Sequence, residues 1–441
     1  MKKLLLILMI CSVSTLSISA QNDTLSFSLQ EALDYATENA FVSKSAAYDI
    51  EAAEKKVWEY MAIGLPQVDA TGQLANNLKI QENFIKMEIP GQDPEFMKVQ
   101  FGQQYNWNLT GNVNQLLFDG SYILGVRASK VYVELSTKAR EKTQIEVREA
   151  VAQAYYVALI SKKNLETFKS NLVVNEQTLK ETDAYYQNGF RELTDVDQLR
   201  LMVNNSKNLV LEAERQLLIA EAVLKYGMGI LIEQPIKLED NIDFLLTPVE
   251  AVKEVSTDFD VKNHIDYSVM ITQEEAQKLV LKNEKASYLP KLNAFYNYGY
   301  YEFGDSFSDM NNSESSMLGI SLNVPIFSSG MRRSKVKQEK INYLKIQNEM
   351  EMMEQSLKQQ LIVAKSNFKN AQATYAYDKE GEQIAFRIYD RTRMKFGNGL
   401  ATSTELSQNE GQYIQSQISF IQSTLNLLDT YVLYLKAINQ L

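Results

Sequence analysis

One histidine, His264, and one cysteine, Cys11, are all that 441 residues offer for imidazole or thiol chemistry. A Cys/His zinc set needs several such ligands, and a Cys- or His-based nucleophile needs a partner base. Neither can be assembled from this chain. Carboxylates do occur in pairs, as at Glu274-Glu275, yet on a charged helix such pairs are ordinarily a solvated face. No Walker-type phosphate loop is present, so any energy must come from a partner. His264 follows Asn263 beside an expected helix start and reads as a partly exposed structural histidine. The expectation is a protein that is no enzyme and uses no metal or cofactor.

Cys11 itself falls in a segment expected to be removed. Met1-Lys2-Lys3, the apolar run Leu4 to Ile10 and the small-residue stretch ending at Ala20 have the layout of a secretory signal peptide over residues 1–20. Losing two lysines and no acids leaves a formal charge of 45 − 2 − 55 = −12. A chain this acidic is a poor partner for nucleic acid. After the leader no apolar run is long enough for a membrane helix, so entry into a membrane would have to be made by strands.

The elements that could position function are marked by prolines. Positions 95–234 and 326–441 contain none. From Ser121 to about Gln187, and from Met331 to about Phe396, good helix formers predominate, with apolar or small residues at helical spacing, as in Val147, Val151, Ala154 and Ala158. Each such helix would be roughly 100 Å long, a length suited to coiled coils and tall tubular walls. The proline-marked segments instead alternate. Tyr105, Trp107, Leu109 and Val113 fall on one face; Asn106, Asn108, Thr110, Asn112 and Asn114 fall on the other. Strands are expected at about 66–78, 104–118, 290–302 and 316–327, with polar loops at 79–102 and 302–315. Tyr296, Tyr298 and Tyr300 join Tyr105 and Trp107 on the apolar side, as an aromatic girdle at a bilayer interface requires. The Asn-rich side suits a water-filled lumen better than a dry core, where every amide would need a partner. Four strands cannot close around such a lumen, and lipid does not tolerate open sheet edges, so several protomers must combine.

The chain also repeats itself. Asn39, Glu51, Ala52, Leu65 and Pro66 recur at Asn263, Glu275, Ala276, Leu289 and Pro290, and Asn188-Gly189, Thr194 and Gln198 at Asn398-Gly399, Thr404 and Gln408. Fixed-order similarity marks duplicated supersecondary units. The last pair of matches defines two helix–turn–helix tips, at about 188–196 and 397–406. Glycine after asparagine supplies the left-handed residue that ends a helix. Thr194 and Thr404 are then expected to cap the next helix, with Asp195 and Glu405 in its first turn.

Leu29-Gln30-Glu31-Ala32-Leu33, Gly64-Leu65-Pro66-Gln67, its echo Tyr288-Leu289-Pro290-Lys291, and the strand exits Leu117-Phe118-Asp119-Gly120 and Pro325-Ile326-Phe327 resemble the TolC-type outer-membrane efflux proteins over nearly the whole mature chain. The resemblance implies a mainly α protein with a membrane β-barrel portion: a homotrimer whose twelve strands form one barrel continuous with a periplasmic helical barrel. Residues 21–228 and 263–441 would be the two repeats and 229–262 the equatorial segment. It implies that Gly189, Phe190, Thr194, Gly399, Leu400 and Thr404 form tips that a periplasmic adaptor docks, with an inner-membrane pump behind it. Asp195, Glu405 and Gln408 would line the periplasmic constriction, Gln408 standing where some relatives have a second acid. The expected function is a passive exit duct in the outer membrane of a Gram-negative bacterium, for efflux or type I secretion. An extracytoplasmic coiled-coil scaffold without a pore is the alternative; it would share the helices but would not need Asn-lined strands.

Overall fold

The computed structural model describes residues 24–87, 95–252 and 259–441; the leader and Pro90, Gly91 and Pro94 of the loop expected at 79–102 lie outside them. The elements run β1 (Leu25–Phe27), α1 (Leu29–Asn39), α2 (Phe41–Ala62), β2 (Gln67–Asn76), β3 (Glu82–Met87), β4 (Glu95–Gln100), β5 (Tyr105–Asp119), α3 (Gly120–Gln187) and α4 (Leu193–Met228). They continue as β6 (Ile236–Leu238), α5 (Ile242–Glu250), α6 (Ile265–Ala286), β7 (Lys291–Ser306), β8 (Asp309–Asn323), α7 (Met331–Gly397) and α8 (Ser403–Ala437). Two compact units result: residues 46–142 with 260–357, and the remainder. None of the described helices is long and apolar enough to cross a membrane.

The first unit holds a four-stranded antiparallel sheet in the order β2-β5-β7-β8. Its register keeps the two faces apart. Val68, Leu74, Trp107, Leu109 and Val113 share a face with Tyr296, Tyr298, Tyr300, Leu318, Ile320 and Leu322. The other face carries Asp69, Thr71 and Gln73 beside Asn112, Thr110 and Asn108. There Thr71 and Thr110 hydroxyls meet at 2.6 Å, and Asn112 Nδ2 donates to Asp69 Oδ1 at 2.9 Å.

Three expectations are corrected. The loop expected at 302–315 is mostly strand: β7 reaches Ser306, β8 begins at Asp309, and Phe307-Ser308 make the turn. Gly304 permits this, because a Cβ there would lie 2.3 Å from the Asp309 carbonyl oxygen. The loop at 79–102 contains a second hairpin, β3 against β4, in unbroken register from Glu82↔Gln100 to Met87↔Glu95. Conversely, β8 stops at Asn323 instead of about 327, since Pro325 has no N–H to continue a ladder.

In the second unit a short parallel pair, β1 with β6, packs with α1, α5 and the middles of the long helices around Val151, Tyr155, Leu224, Met228, Phe368 and Leu428. The Tyr155 hydroxyl lies 2.9 Å from Asp240 Oδ2 and 3.0 Å from the Phe27 carbonyl. The same Asp240 oxygen accepts the Leu29 N–H at 2.6 Å. Burial, then the neighbouring Asp240, push the Tyr155 hydroxyl up, so it remains a donor at any physiological pH. Tyr155→Phe removes a buried hydrogen bond at a fully packed position and is expected to cost about 1–3 kcal/mol. A thermal unfolding midpoint equal to wild type would show that the hydroxyl contributes nothing there.

His264 is buried, not partly exposed. Its Nδ1 accepts the Asp266 N–H at 3.3 Å and caps α6.

Candidate functional site

Two turns carry the strongest local signals, and the backbone treats them alike. At the end of α3, Gly189 (φ 80°) donates to the Tyr186 carbonyl and Phe190 to that of Tyr185, each at 2.9 Å. At the end of α7, Gly399 (φ 76°) donates to Phe396 at 2.9 Å and Leu400 to Lys395 at 2.8 Å. Asn188 and Asn398 each return a side-chain N–H to the carbonyl four residues back, at 2.8 and 2.9 Å. These paired bonds are Schellman stops. In that motif the residue after the left-handed one usually folds onto the helix. Here Phe190 and Leu400 stay 78% and 77% exposed.

The caps lie two residues earlier than expected. Thr402, not Thr404, caps α8, its hydroxyl accepting the Glu405 N–H at 3.1 Å. Glu192, not Thr194, stands at the start of α4, where the Asp195 carboxylate accepts the Glu192 N–H at 3.4 Å. Thr194 instead donates to Glu192 Oε2 at 3.2 Å. Both helices begin one residue before these threonines, so the threonines stand at the second helical position, where their own N–H is among the orphan groups that a cap one turn earlier serves.

The three candidate constriction residues have different surroundings. Glu405 and Gln408 are exposed, and with Gln412 and Gln415 they make one polar stripe on α8. Asp195 is mostly covered and lies 4.0 Å from Arg191. Arg191, which sequence reasoning overlooked, stacks its guanidinium 4.2 Å from the Phe396 ring centre and donates to the Phe396 carbonyl oxygen, tying the first tip to the end of α7. A groove of about 370 Å³ runs beside it between α3 and α7, lined by Val174, Thr178, Tyr185 and Met394 among others.

Behind the tips lies a polar cluster that no local pattern announced. Asn175 of α3 donates through Nδ2 to Ser206 Oγ of α4 at 2.8 Å and to Glu410 Oε1 of α8. Its Oδ1 lies 3.4 Å from the Tyr389 hydroxyl of α7. One amide therefore reaches all three other helices. Farther along, Gln417 donates to the Tyr413 hydroxyl at 2.7 Å, and Asn171 to Gln417 at 3.3 Å. Burial pushes Glu410 up to about 7.

On the sheet, Asn106 donates to the Gln103 carbonyl at 3.1 Å, and Asn108, Asn112 and Asn114 share its face. That face is not wholly polar: Phe295 covers Gly319 and Tyr301 folds over Gly299. On the opposite face Trp107 meets Tyr300 edge-on at 5.7 Å, and Tyr105 contacts Phe307 at 4.4 Å. Tyr298 lies between these and Tyr296, which pairs with Val113, six positions from Trp107 and so roughly 20 Å away. No group of His, Cys, Asp or Glu among the described residues could hold a metal ion.

The outer membrane efflux protein family matches residues 32–229 and 271–438. Among solved structures, the chain is similar to CusC, whose structures concern folding and transmembrane channel formation (TM-score 0.69, 12% identity, 93% of this chain and 91% of that one). It is similar to the outer membrane protein VceC of Vibrio cholerae (0.65, 15%, 93% and 95%). It is also similar to the open state of the MtrE outer membrane channel of Neisseria gonorrhoeae (0.68, 14%, 93% and 88%). A sequence search among curated proteins finds no match.

Proposed function

Because the chain belongs to the outer membrane efflux protein family, as an outer-membrane channel and not an enzyme, we propose that it is the passive exit duct of a tripartite efflux or type I secretion system. Three copies would supply twelve strands to one barrel, with Asn106, Asn108, Asn112 and Asn114 toward water. Tyr105, Trp107, Tyr296, Tyr298 and Tyr300 would face lipid and its interface. The observation that carries this reading is the sheet itself. Its outer strands β2 and β8 each have one neighbour, and every unpaired backbone group left in hydrocarbon costs several kcal/mol. Symmetric copies joined edge to edge remove that cost for all strands at once. A pore-free scaffold would have no use for a sheet with one apolar face and one face of amides.

The helical tips complete the proposal. Phe190 and Leu400, held out on rigid turns, are the surfaces that hairpins of a periplasmic adaptor would cover, with the inner-membrane pump beyond. Glu405, Gln408, Gln412 and Gln415 would line the mouth. A ring of Glu405 side chains in a narrow passage focuses negative potential and favours cations. Asp195, already held beside Arg191, would contribute to the wall more than to that field.

Single-channel currents in a planar bilayer test both levels. Wild type is expected to give small cation-preferring steps, and Glu405→Gln steps whose cation preference has fallen several-fold. Steps with unchanged selectivity would remove Glu405 from the mouth. Folded trimers that never conduct, even when the tips are loosened by mutation, would sink the duct.

A further inference from the structure

Asn175 joins all four helices behind the tips: its amide engages Ser206, Tyr389 and Glu410, one from each of α4, α7 and α8. Two of these partners are neutral hydroxyls at ordinary pH. The third is a carboxyl group only 6% exposed. An ionised carboxylate enclosed in this way loses its hydration, and one hydrogen bond from a neutral amide replaces little of it.

We infer that Glu410 is a proton-governed latch: in its neutral form it holds α8 against α3, and in its ionised form it lets the two helices part and admits water between them. The groups facing it are few. Asn175 and Ser206 come from α3 and α4. Tyr389 comes from α7, with Asp390 and Arg393 acting on that hydroxyl and paired with each other at 2.8 Å. Tyr413 comes from α8, its hydroxyl engaged with Glu382 of α7. The position of the titration follows from burial, which moves Glu410 from 4.5 to about 7, against the smaller opposite pull of Asn175.

The sign is set by proton uptake. Between pH 4.5 and 7 the packed bundle binds a proton that the separated helices release, so packing weakens as pH rises across that window. It is tightest on the acid side and loosest above 7. That loosening opens the mouth rests on the duct reading; the latch itself does not.

The test is hydrogen–deuterium exchange of the full trimer at pH 6 and pH 8, corrected for intrinsic rates. The ionised fraction of such a group rises from about a tenth to about nine-tenths over that interval. Peptides covering 170–180 and 405–415 are expected to exchange about ten-fold faster at pH 8 in wild type. Glu410→Gln, of the same shape without the charge, is expected to exchange slowly at both. Glu410→Leu must lose the pH response as well, and Tyr389→Phe must keep it while shifting both rates together. A wild type without pH response, or a Gln or Leu variant that retains it, overturns the latch. Bilayer currents taken in parallel separate the two readings. Exchange that responds to pH without current at any pH, in tip-loosened variants as well, keeps the latch and refutes the duct; current with pH-independent exchange does the reverse.

Discussion

Gly229→Ala is expected to destabilise the protein by about 3 kcal/mol or more and to deplete it from the outer membrane. Gly229 ends α4 in the left-handed conformation (φ 74°), where a Cβ costs about 1–2 kcal/mol by itself. The surroundings add more. That Cβ would sit 2.3 Å from the Asn39 carbonyl oxygen and 2.9 Å from the Ala40 Cα. Both are backbone, at the joint between α1 and α2, and neither can rotate away as a side chain would. Gly399→Ala provides the control. It has nearly the same φ, 76°, with nothing within 4 Å of the added atom, so only the conformational part remains. Thermal unfolding followed by circular dichroism should therefore rank Gly229→Ala far below Gly399→Ala. Equal midpoints would mean that the contact with Asn39 relaxes freely.

Efflux is expected to be lost when Phe190 and Leu400 are both changed to aspartate, although the channel still folds and conducts. Fully covering one such side chain is worth about 1.5–3 kcal/mol. A carboxylate in its place removes that gain and resists desolvation. In the proposed trimer six positions would change together, and multivalent docking falls by many orders of magnitude when each contact weakens. Because both side chains are exposed, folding should be indifferent. The check is cargo export in cells lacking the native gene, beside bilayer currents of the purified variant. Export at wild-type level would show that partners grip the tips elsewhere, for example along the groove between α3 and α7.

The features legible in sequence were those with a narrow local requirement. Asn-Gly at 188 and 398 marked the helix ends because few residues accept the left-handed conformation. Period-two alternation marked the strands wherever one side had to be apolar. Prediction failed where the requirement was loose or distant. Thr194 and Thr404 are better caps by residue type than Glu192, yet the helices start before them. The last residues of β7 and first of β8, Glu302 to Asn312, have the composition of a loop and pair because Gly304 lets the hairpin close. Asn175 and Glu410 are 235 positions apart, and neither carries a local mark of its partner. Arg191 was equally silent, since its counterpart in the second tip is Ala401.

α3 has 68 residues and α7 has 67, each one continuous helix without proline, with Gly125 and Gly381 inside them. One added residue in a continuous helix turns everything beyond it by about 100° and shifts it by about 1.5 Å. It would carry every later side chain to a different face, including those that meet Asn175 or Glu410. Evolution can therefore vary the hairpin turns residue by residue but cannot edit these helices that way. Length changes there must be inherited as matched blocks of whole turns in both halves, so insertions and deletions among relatives should cluster at the strand hairpins and the 229–262 segment.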